Sequence, residues 1–271
     1  MTIALCPGHI TCFFQPVRTD DVMTTGSRGV GIKTSKGTRV TLEERSDDRL
    51  VITMDGSEGT YRVTEAAIRQ LSGRGYDVTI ENDLPVGQGF GMSASGAIAA
   101  ALCACQFEGK DEQQAFISAH RAEVLNGGGL GDVSAIVCRS HVPIRKRAGL
   151  PPIGETADSG LSFERLYLKV LNGPLDTGRT LSDPDTAGKI SFFGAKAIDD
   201  FIGSPSEDLL FGLSRWFSGN VGLETDEMKD AISHSQRSGM CMLGHSIFSD
   251  TWTDGCIECA STDSLPFICR A

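Results

Sequence analysis

The run Pro85-Val86-Gly87-Gln88-Gly89-Phe90-Gly91-Met92-Ser93-Ala94-Ser95-Gly96-Ala97 constrains this chain more than any other stretch. Gly87, Gly89 and Gly91 lead straight into a helix-forming segment from Ala97 to Phe107. Glycines keep side chains out of the way, so backbone amides can approach an anion, and the helix that follows adds its positive end. The plainer reading is a tight turn opening an Ala-rich buried helix. The run lacks the Lys and Ser/Thr of a Walker loop and the spacing of a dinucleotide-binding turn. A triphosphate cradle on a loop before a buried helix is therefore the feature around which the remaining residues are read.

A length of 271 residues suffices for one large or two modest cores. No segment is long and apolar enough to cross a bilayer, and the first residues carry no basic region, so the expectation is a cytoplasmic protein. The net charge of -10 argues against nucleic acid or an anionic membrane as partner, since both need clustered Lys and Arg. The cluster Arg145-Lys146-Arg147 is short and reads as a solvated loop after a strand. Nine cysteines suit reduced thiols better than a disulfide framework. Cys256 and Cys259 form a single CxxC with only Cys269 nearby, which reads as a core or edge feature rather than a zinc site.

Before the loop the chain reads as strand-rich. Ile3 to Cys6 predicts a short strand ended by Pro7-Gly8, and His9 and Thr11 would share one face of an extended segment. Lys36-Gly37 signals a hairpin, Val51 to Met54 and Val78 to Ile80 further strands, and Tyr61 to Leu71 a short helix. After the loop, Asp111 caps a second helix running to Leu125, and Phe116, Ala119 and Glu123 share its apolar stripe. A carboxylate on such a stripe either asks for a cation or reaches water at the stripe's edge. Asn126-Gly127-Gly128-Gly129-Leu130-Gly131-Asp132 then concentrates glycines before one acid, and that flexibility suggests that Asp132 must sit beside a ligand. Ala135 to Cys138 looks strand-like, and Leu150 to Glu155 is the best linker candidate. The second half predicts a strand from Phe163 to Val170, a loop at Asn172-Gly173-Pro174, helices at Pro184 to Phe201, Ser206 to Ser218 and Thr225 to Ser235, and a terminal strand at Phe267-Ile268.

Pro85 followed by Gly89-Phe90-Gly91-Met92-Ser93-Ala94-Ser95 resembles the phosphate-binding motif of the GHMP kinases, Pro, three residues, then Gly-Leu-Gly-Ser-Ser-Ala-Ala. Phe90 replaces Leu and Met92 replaces the first Ser. Glu123 and Asp132 match, in order and spacing, the helix Glu and Gly-rich-turn Asp of those members that use a carboxylate base. Gly239 to Gly244 stands where the third motif belongs, with Met240, Cys241 and Met242 departing from its small-residue pattern. The resemblance implies an α+β, two-domain GHMP kinase fold: a ribosomal S5-like, ATP-binding half over residues 1–150 and a ferredoxin-like half over residues 151–271, with the active site between them. It further implies ATP bound by Gly87, Gly89, Phe90, Gly91, Met92, Ser93 and Ala94, magnesium held by Ser93 and Glu123, and Asp132 as catalytic base.

Within the family, Pro7-Gly8-His9-Ile10-Thr11, Gly26 to Gly31, Gly129 to Val133 and Met242-Leu243-Gly244 are most similar to the archaeal branch that phosphorylates the 4-hydroxyl of pantoate on the route to coenzyme A. The acceptor would then meet His9, which stands where relatives carry Lys, with Thr11, Ser27 and Arg28. Arg28 is the preferred partner for the acceptor carboxylate, unless it is a solvent-facing turn arginine. Mevalonate, homoserine or shikimate as acceptor, and a non-catalytic regulatory role, remain the alternatives, and a homodimer is compatible with all of them. The S5-like half raises RNA binding, which the acidic balance opposes.

Overall fold

A computed structural model describes residues 1–173 and 183–269, and two long strands set its frame. β1 (Thr2–Val17) and β2 (Gly26–Glu44) pair antiparallel over nearly their whole lengths. Neither the strand end expected at Pro7-Gly8 nor the hairpin expected at Lys36-Gly37 occurs. The register passes from Pro7 opposite Gly37 to Gly8 opposite Thr34, so Ser35 and Lys36 bulge out of the ladder and both strands continue. A bulge accommodates a proline and extra residues without ending a strand.

β3 (Leu50–Met54), β4 (Ser57–Glu58) and β5 (Tyr76–Asn82) extend this sheet on one side, β5 against the later half of β2 and β3 parallel to β5. β6 (Pro143–Arg147) pairs with β2 at Gly29 and Val30 and with β7 (Glu155–Asp158). The segment Leu150 to Glu155, read as a linker, is the turn that joins β6 to β7, and Leu150 is buried. The last strand, here β12 (Phe267–Cys269), returns to pair with the start of β1. A boundary drawn at residue 150 thus runs through this sheet.

Three helices cover the sheet: α1 (Arg62–Arg69), α2 (Met92–Glu108) and α3 (Glu112–Leu125). α2 is buried on every side from Ala94 to Cys105, as an Ala-rich helix without polar stripe must be. Asp111 caps α3 by accepting from the Gln114 amide at 2.9 Å. The strand-like run at Ala135 is instead part of a short helix, α4 (Asp132–Ile136). Its apolar residues are buried against β1 and α2, and Ser134 bonds back to the Gly131 carbonyl, so burial overrides the strand preference of Ile136 and Val137.

The second half builds a four-stranded antiparallel sheet in the order β11 (Ile257–Cys259), β8 (Leu166–Val170), β10 (Ser246–Ser249), β9 (Ser238–Met240). With it go α5 (Pro184–Gly203), α6 (Glu207–Val221) and α7 (Asp226–Ser233), whose caps Asp183, Ser206 and Thr225 each accept from the amide three residues on. Of the loop expected at Asn172-Gly173-Pro174, Pro174 lies outside the described residues. The α+β class is the one that the resemblance implies. Among the described residues no helix is long and apolar enough to cross a membrane.

Two apolar clusters form the core and meet along β1. Ala4 and Cys6 belong to the one that holds α2, whereas Ile10, Cys12, Phe13 and Phe14 belong to the one shared with the second half. His9 lies at that seam. α5 crosses β1 so closely that a Cβ on Gly194 would stand 1.9 Å from the Phe14 carbonyl oxygen. Alanine ordinarily stabilises a helix interior relative to glycine by about 1 kcal/mol. Gly194→Ala should instead destabilise by roughly 1–3 kcal/mol, because α5 must lift from β1. Urea unfolding of the variant decides this: a midpoint at or above the parent's would mean that the helix accommodates the methyl group freely.

Candidate active site

The glycine loop enters α2 through Gly91, whose φ of 70° is left-handed and whose position lies against the backbone of His9. The His9 amide in turn donates to the Phe90 carbonyl at 3.0 Å, so the loop is fastened to β1. The first intrahelical bond runs from Ser95 to the Gly91 carbonyl, which leaves the amides of Met92, Ser93 and Ala94 without helical partners at the start of α2. The side chains of Phe90 and Met92 are buried in the core, so these residues offer the cleft their backbone. From the second half, Met242 and Leu243 line the same cleft. The Met242 amide bonds to the Thr11 carbonyl at 3.1 Å, and Ser246 Oγ donates to the Gln88 carbonyl at 2.6 Å. The third motif therefore braces the loop despite its methionines and Cys241.

Two carboxylates face this loop. Glu123 Oε1 accepts from Ser93 Oγ at 2.6 Å, and its other oxygen accepts from the Gly129 amide. It is 1 % exposed, and no cation pairs with it among the described residues. Burial pushes its pKa up to about 7; the hydrogen bonds from Ser93 and Gly129 pull the other way, and the nearby Asp132 charge adds to the rise. The cation that a carboxylate on the apolar stripe asks for is not supplied by a side chain here. Both donors are hard oxygens suited to magnesium, and a positive charge would relieve the crowding of two acids. Among the described residues no three His, Cys, Asp or Glu side chains converge on a metal position, so such an ion would need further oxygens from a phosphate ligand.

Asp132 opens α4 and receives a 2.7 Å hydrogen bond from His9 Nδ1. His9 is fully buried, and its Nε2 lies 3.3 Å from Arg145 Nη1. A carboxylate accepts and a guanidinium donates, so these partners fix the tautomer: Nδ1 carries the proton and Nε2 accepts. Burial lowers the His9 pKa, outweighing the Asp132 contacts and aided by the Arg145 and Lys33 charges, so the ring is neutral. For Asp132 burial works toward protonation, yet the hydrogen bond from His9, with the Arg145 charge behind it, holds its pKa below the usual carboxylate value. The site thus holds one acid that ionises readily and one that does not.

Arg145 is the residue that sequence reasoning missed. The cluster Arg145-Lys146-Arg147 is not one solvated loop: it lies on β6, where Arg145 is 1 % exposed while Lys146 and Arg147 face solvent. Burial brings its pKa down to about 10, which leaves it charged at neutral pH. Its Nη2 lies 3.5 Å from Thr11 Oγ1, and its Nε is buried without a hydrogen-bond partner. A Cβ on Gly131 would stand 2.2 Å from Ser27 Oγ and 2.6 Å from that Nε, so the bare Cα makes room for both groups, and Arg145 lies behind the Gly131 that lines the cleft. The one sequence hint was Gly29, the strand partner of Arg145, since a glycine leaves space for a large neighbour.

The structure therefore brings His9, Thr11, Ser27, Ser93, Glu123 and Asp132 together around the loop. It does not bring Arg28. Successive strand residues face opposite ways, and Ser27 takes the cleft side. Arg28 turns outward to Asp199 at 2.7 Å, Gln15 at 3.1 Å and the Lys146 carbonyl at 3.0 Å. Of the CxxC, Cys256 lies beside Thr253 and Cys259 is buried in the second sheet, and neither lines the cleft.

Comparison with known proteins bears on the family and the fold. The profile described as "GHMP kinases N terminal domain" matches residues 59–140. The chain is 32 % identical to a pantoate kinase of Thermococcus kodakarensis, over 91 % of this chain and 86 % of the relative. It is 27 % identical to a pantoate kinase of Methanocaldococcus jannaschii, over 97 % and 98 %. A solved structure described as a phosphotransferase related to the CoA biosynthesis pathway superposes with a TM-score of 0.87 at 28 % identity, covering 100 % of this chain and 99 % of the other. A mevalonate kinase structure, at 11 % identity and a TM-score of 0.66, shares the fold.

The raised pKa of Glu123 has a consequence for stability. The native state holds this proton more tightly than the unfolded chain, so the contribution is complete below the unfolded pKa of about 4.3 and is lost as pH rises through the folded value. That folded value is about 7. The stability of the parent relative to Glu123→Gln should therefore fall between about pH 4.5 and pH 7 and level off above. Urea midpoints of both proteins in chelator would test it, and a difference constant with pH would mean that Glu123 is ionised throughout.

Proposed function

The chain belongs to the GHMP kinases, in the family of the pantoate kinases, and from that membership we propose that it transfers the γ-phosphoryl group of ATP to the 4-hydroxyl of pantoate. The observation that carries the reading is the placement of an ionised Asp132 opposite the free amides of the loop, with a buried arginine behind it. Phosphoryl transfer is chiefly positioning and charge stabilisation. Amides from Gly87 to Ala94 receive the phosphates, aided by the positive end of α2. Ser93 and Glu123 are the oxygens that would hold magnesium, which when bound neutralises phosphate charge. The hydroxyl oxygen of the acceptor attacks the γ-phosphorus, the bond to the ADP oxygen breaks, and the hydroxyl proton passes to Asp132. His9 keeps Asp132 oriented by its single hydrogen bond and, being neutral, does not compete for the proton.

An acceptor with its own carboxylate close to the reacting hydroxyl needs a fixed cation near the base. Arg145 meets that need better than Arg28, whose guanidinium is spent on Asp199 and Gln15. A guanidinium already buried, with one donor unpartnered, can grip a carboxylate in two-pronged fashion together with Ser27 and Thr11.

Incubation with ATP, magnesium and either pantoate or mevalonate tests the reading, with 4-phosphopantoate as the expected product. Mevalonate phosphorylated faster than pantoate would overturn the substrate while leaving a kinase. Asp132→Asn should lower turnover by roughly a hundredfold to ten-thousandfold with ATP affinity kept, and near-parental turnover would remove it from the mechanism. Arg145→Gln should raise the KM for pantoate by roughly ten- to hundredfold, from the loss of a charged hydrogen bond, and leave that for ATP unchanged. Equal rises in both constants would assign Arg145 to the architecture alone.

A further inference from the structure

A second buried cation lies next to this site and takes no part in the chemistry above. Lys33 on β2 is the strand partner of His9 and is 0 % exposed. Its Nζ donates to the Cys138 carbonyl at 2.6 Å, and among the described residues no carboxylate pairs with it. The Cys138 amide bonds to the Ala135 carbonyl at 3.2 Å, which ties Cys138 into the turn after α4, and its carbonyl also accepts from the Ser140 amide at 3.0 Å. Cross-strand partners have their Cβ atoms about 4.5–5.5 Å apart on one face of the sheet. One such pair therefore grips a short helix and the turn that follows it: His9 holds Asp132 at the start of α4, and Lys33 holds the Cys138 carbonyl two residues past its end.

A buried ammonium is costly, and an apolar side chain of like volume commonly serves stability as well or better. Lys33 has its backbone fastened too, accepting from Thr262 at 3.1 Å and donating to the His141 carbonyl at 2.9 Å, so its side chain is aimed from a fixed base. We propose that Lys33 is a positioning residue that sets the presentation of Asp132 by anchoring the turn that follows α4. The inference rests on the assignment of Asp132 as base. The groups facing the ammonium are His9 and Cys6 of β1, Cys138 and Arg139 after α4, and Asp263 before β12. Burial, helped by the Arg139 charge and opposed by Cys138, Cys6 and Asp263, brings the Lys33 pKa down to about 8, so the anchor weakens in mildly alkaline solution.

The test uses Lys33→Met, which keeps bulk and removes the donor, and Lys33→Gln, which keeps a neutral donor for the Cys138 carbonyl. The deciding readout is the low-field proton resonance of His9 Nδ1–H, identified by its loss in His9→Asn, because it reports the contact with Asp132 whether or not pantoate is the substrate. The resonance should move or broaden in Lys33→Met and return toward the parent position in Lys33→Gln. Turnover with ATP and pantoate should fall by roughly ten- to hundredfold in Lys33→Met, as for a catalytic group displaced by about 1 Å, with the KM for ATP unchanged. An alkaline loss of turnover near pH 8 in the parent should be absent from both variants. An unmoved resonance in Lys33→Met overturns the proposal. If neither variant folds, the parent decides by its pH profile: turnover that falls near pH 8 with the KM for ATP unchanged supports the anchor, and turnover indifferent from about pH 7 to 9.5 overturns it. A parent that fails to phosphorylate pantoate refutes the substrate assignment, while the resonance still decides the role of Lys33.

Discussion

The hydrogen bond between His9 and Asp132 is the contact on which the rest of the site depends. It joins the longest strand pairing to the shortest of the described helices, and in the neutral ring it needs the proton on Nδ1, with Nε2 left to accept. That state requires burial to hold the imidazole pKa down and a donor at Nε2 to fix the tautomer, which Arg145 supplies. Burial in turn requires the two apolar clusters to meet along β1, with the loop before α2 laid over His9. Loosening any one of these would let water reach His9, and the difference in acidity between Asp132 and Glu123 would narrow.

That difference is what gives the two acids separate roles. Asp132 has a hydrogen-bonding histidine and a guanidinium behind it; Glu123 has a hydroxyl and an amide in an apolar surrounding. The first is set to be an anion that accepts a proton. The second is uneasy as an anion until a cation arrives. A chain with net charge -10 nevertheless concentrates Arg145 and Lys33 in its interior beside the acids, so local charge at the cleft runs against the average of the molecule.

Much of this was legible in the sequence because it is local. The glycine loop, the helix behind it, the stripe position of Glu123 and the glycines before Asp132 all lie within a few residues of what they serve. The cation could not be found in that way. Arg28 and Arg145 look alike in sequence, each in a short basic or glycine-bounded stretch, and their fates depend on strand register: Arg28 faces α5 and Asp199, whereas Arg145 is opposite Gly29 and enters the seam. Pro7-Gly8 and Lys36-Gly37 misled for a related reason, since each is a turn signal alone but together they make one bulge. Lys33 gave no sign at all, because burial of an ammonium is set by what closes over the strand.

The departures from the family motif fit the same division between backbone and side chain. Met92 stands where a serine hydroxyl is usual, yet the amides that open α2 are unchanged, and the methionine side chain turns into the core, where Thr38 Oγ1 lies 3.7 Å from its sulfur. Met242 and Cys241 depart from a small-residue pattern, yet their carbonyls lie within 3 Å of where a Cβ on Gly89 would be. A cradle built from amides constrains φ, ψ and close approach, so it fixes Gly89 and Gly91 and leaves neighbouring side chains free to satisfy the core. The residues that cannot drift are those whose side-chain atoms touch charge, Ser93, Glu123, Asp132 and Arg145, and each of them is held by a partner from a different element of the fold.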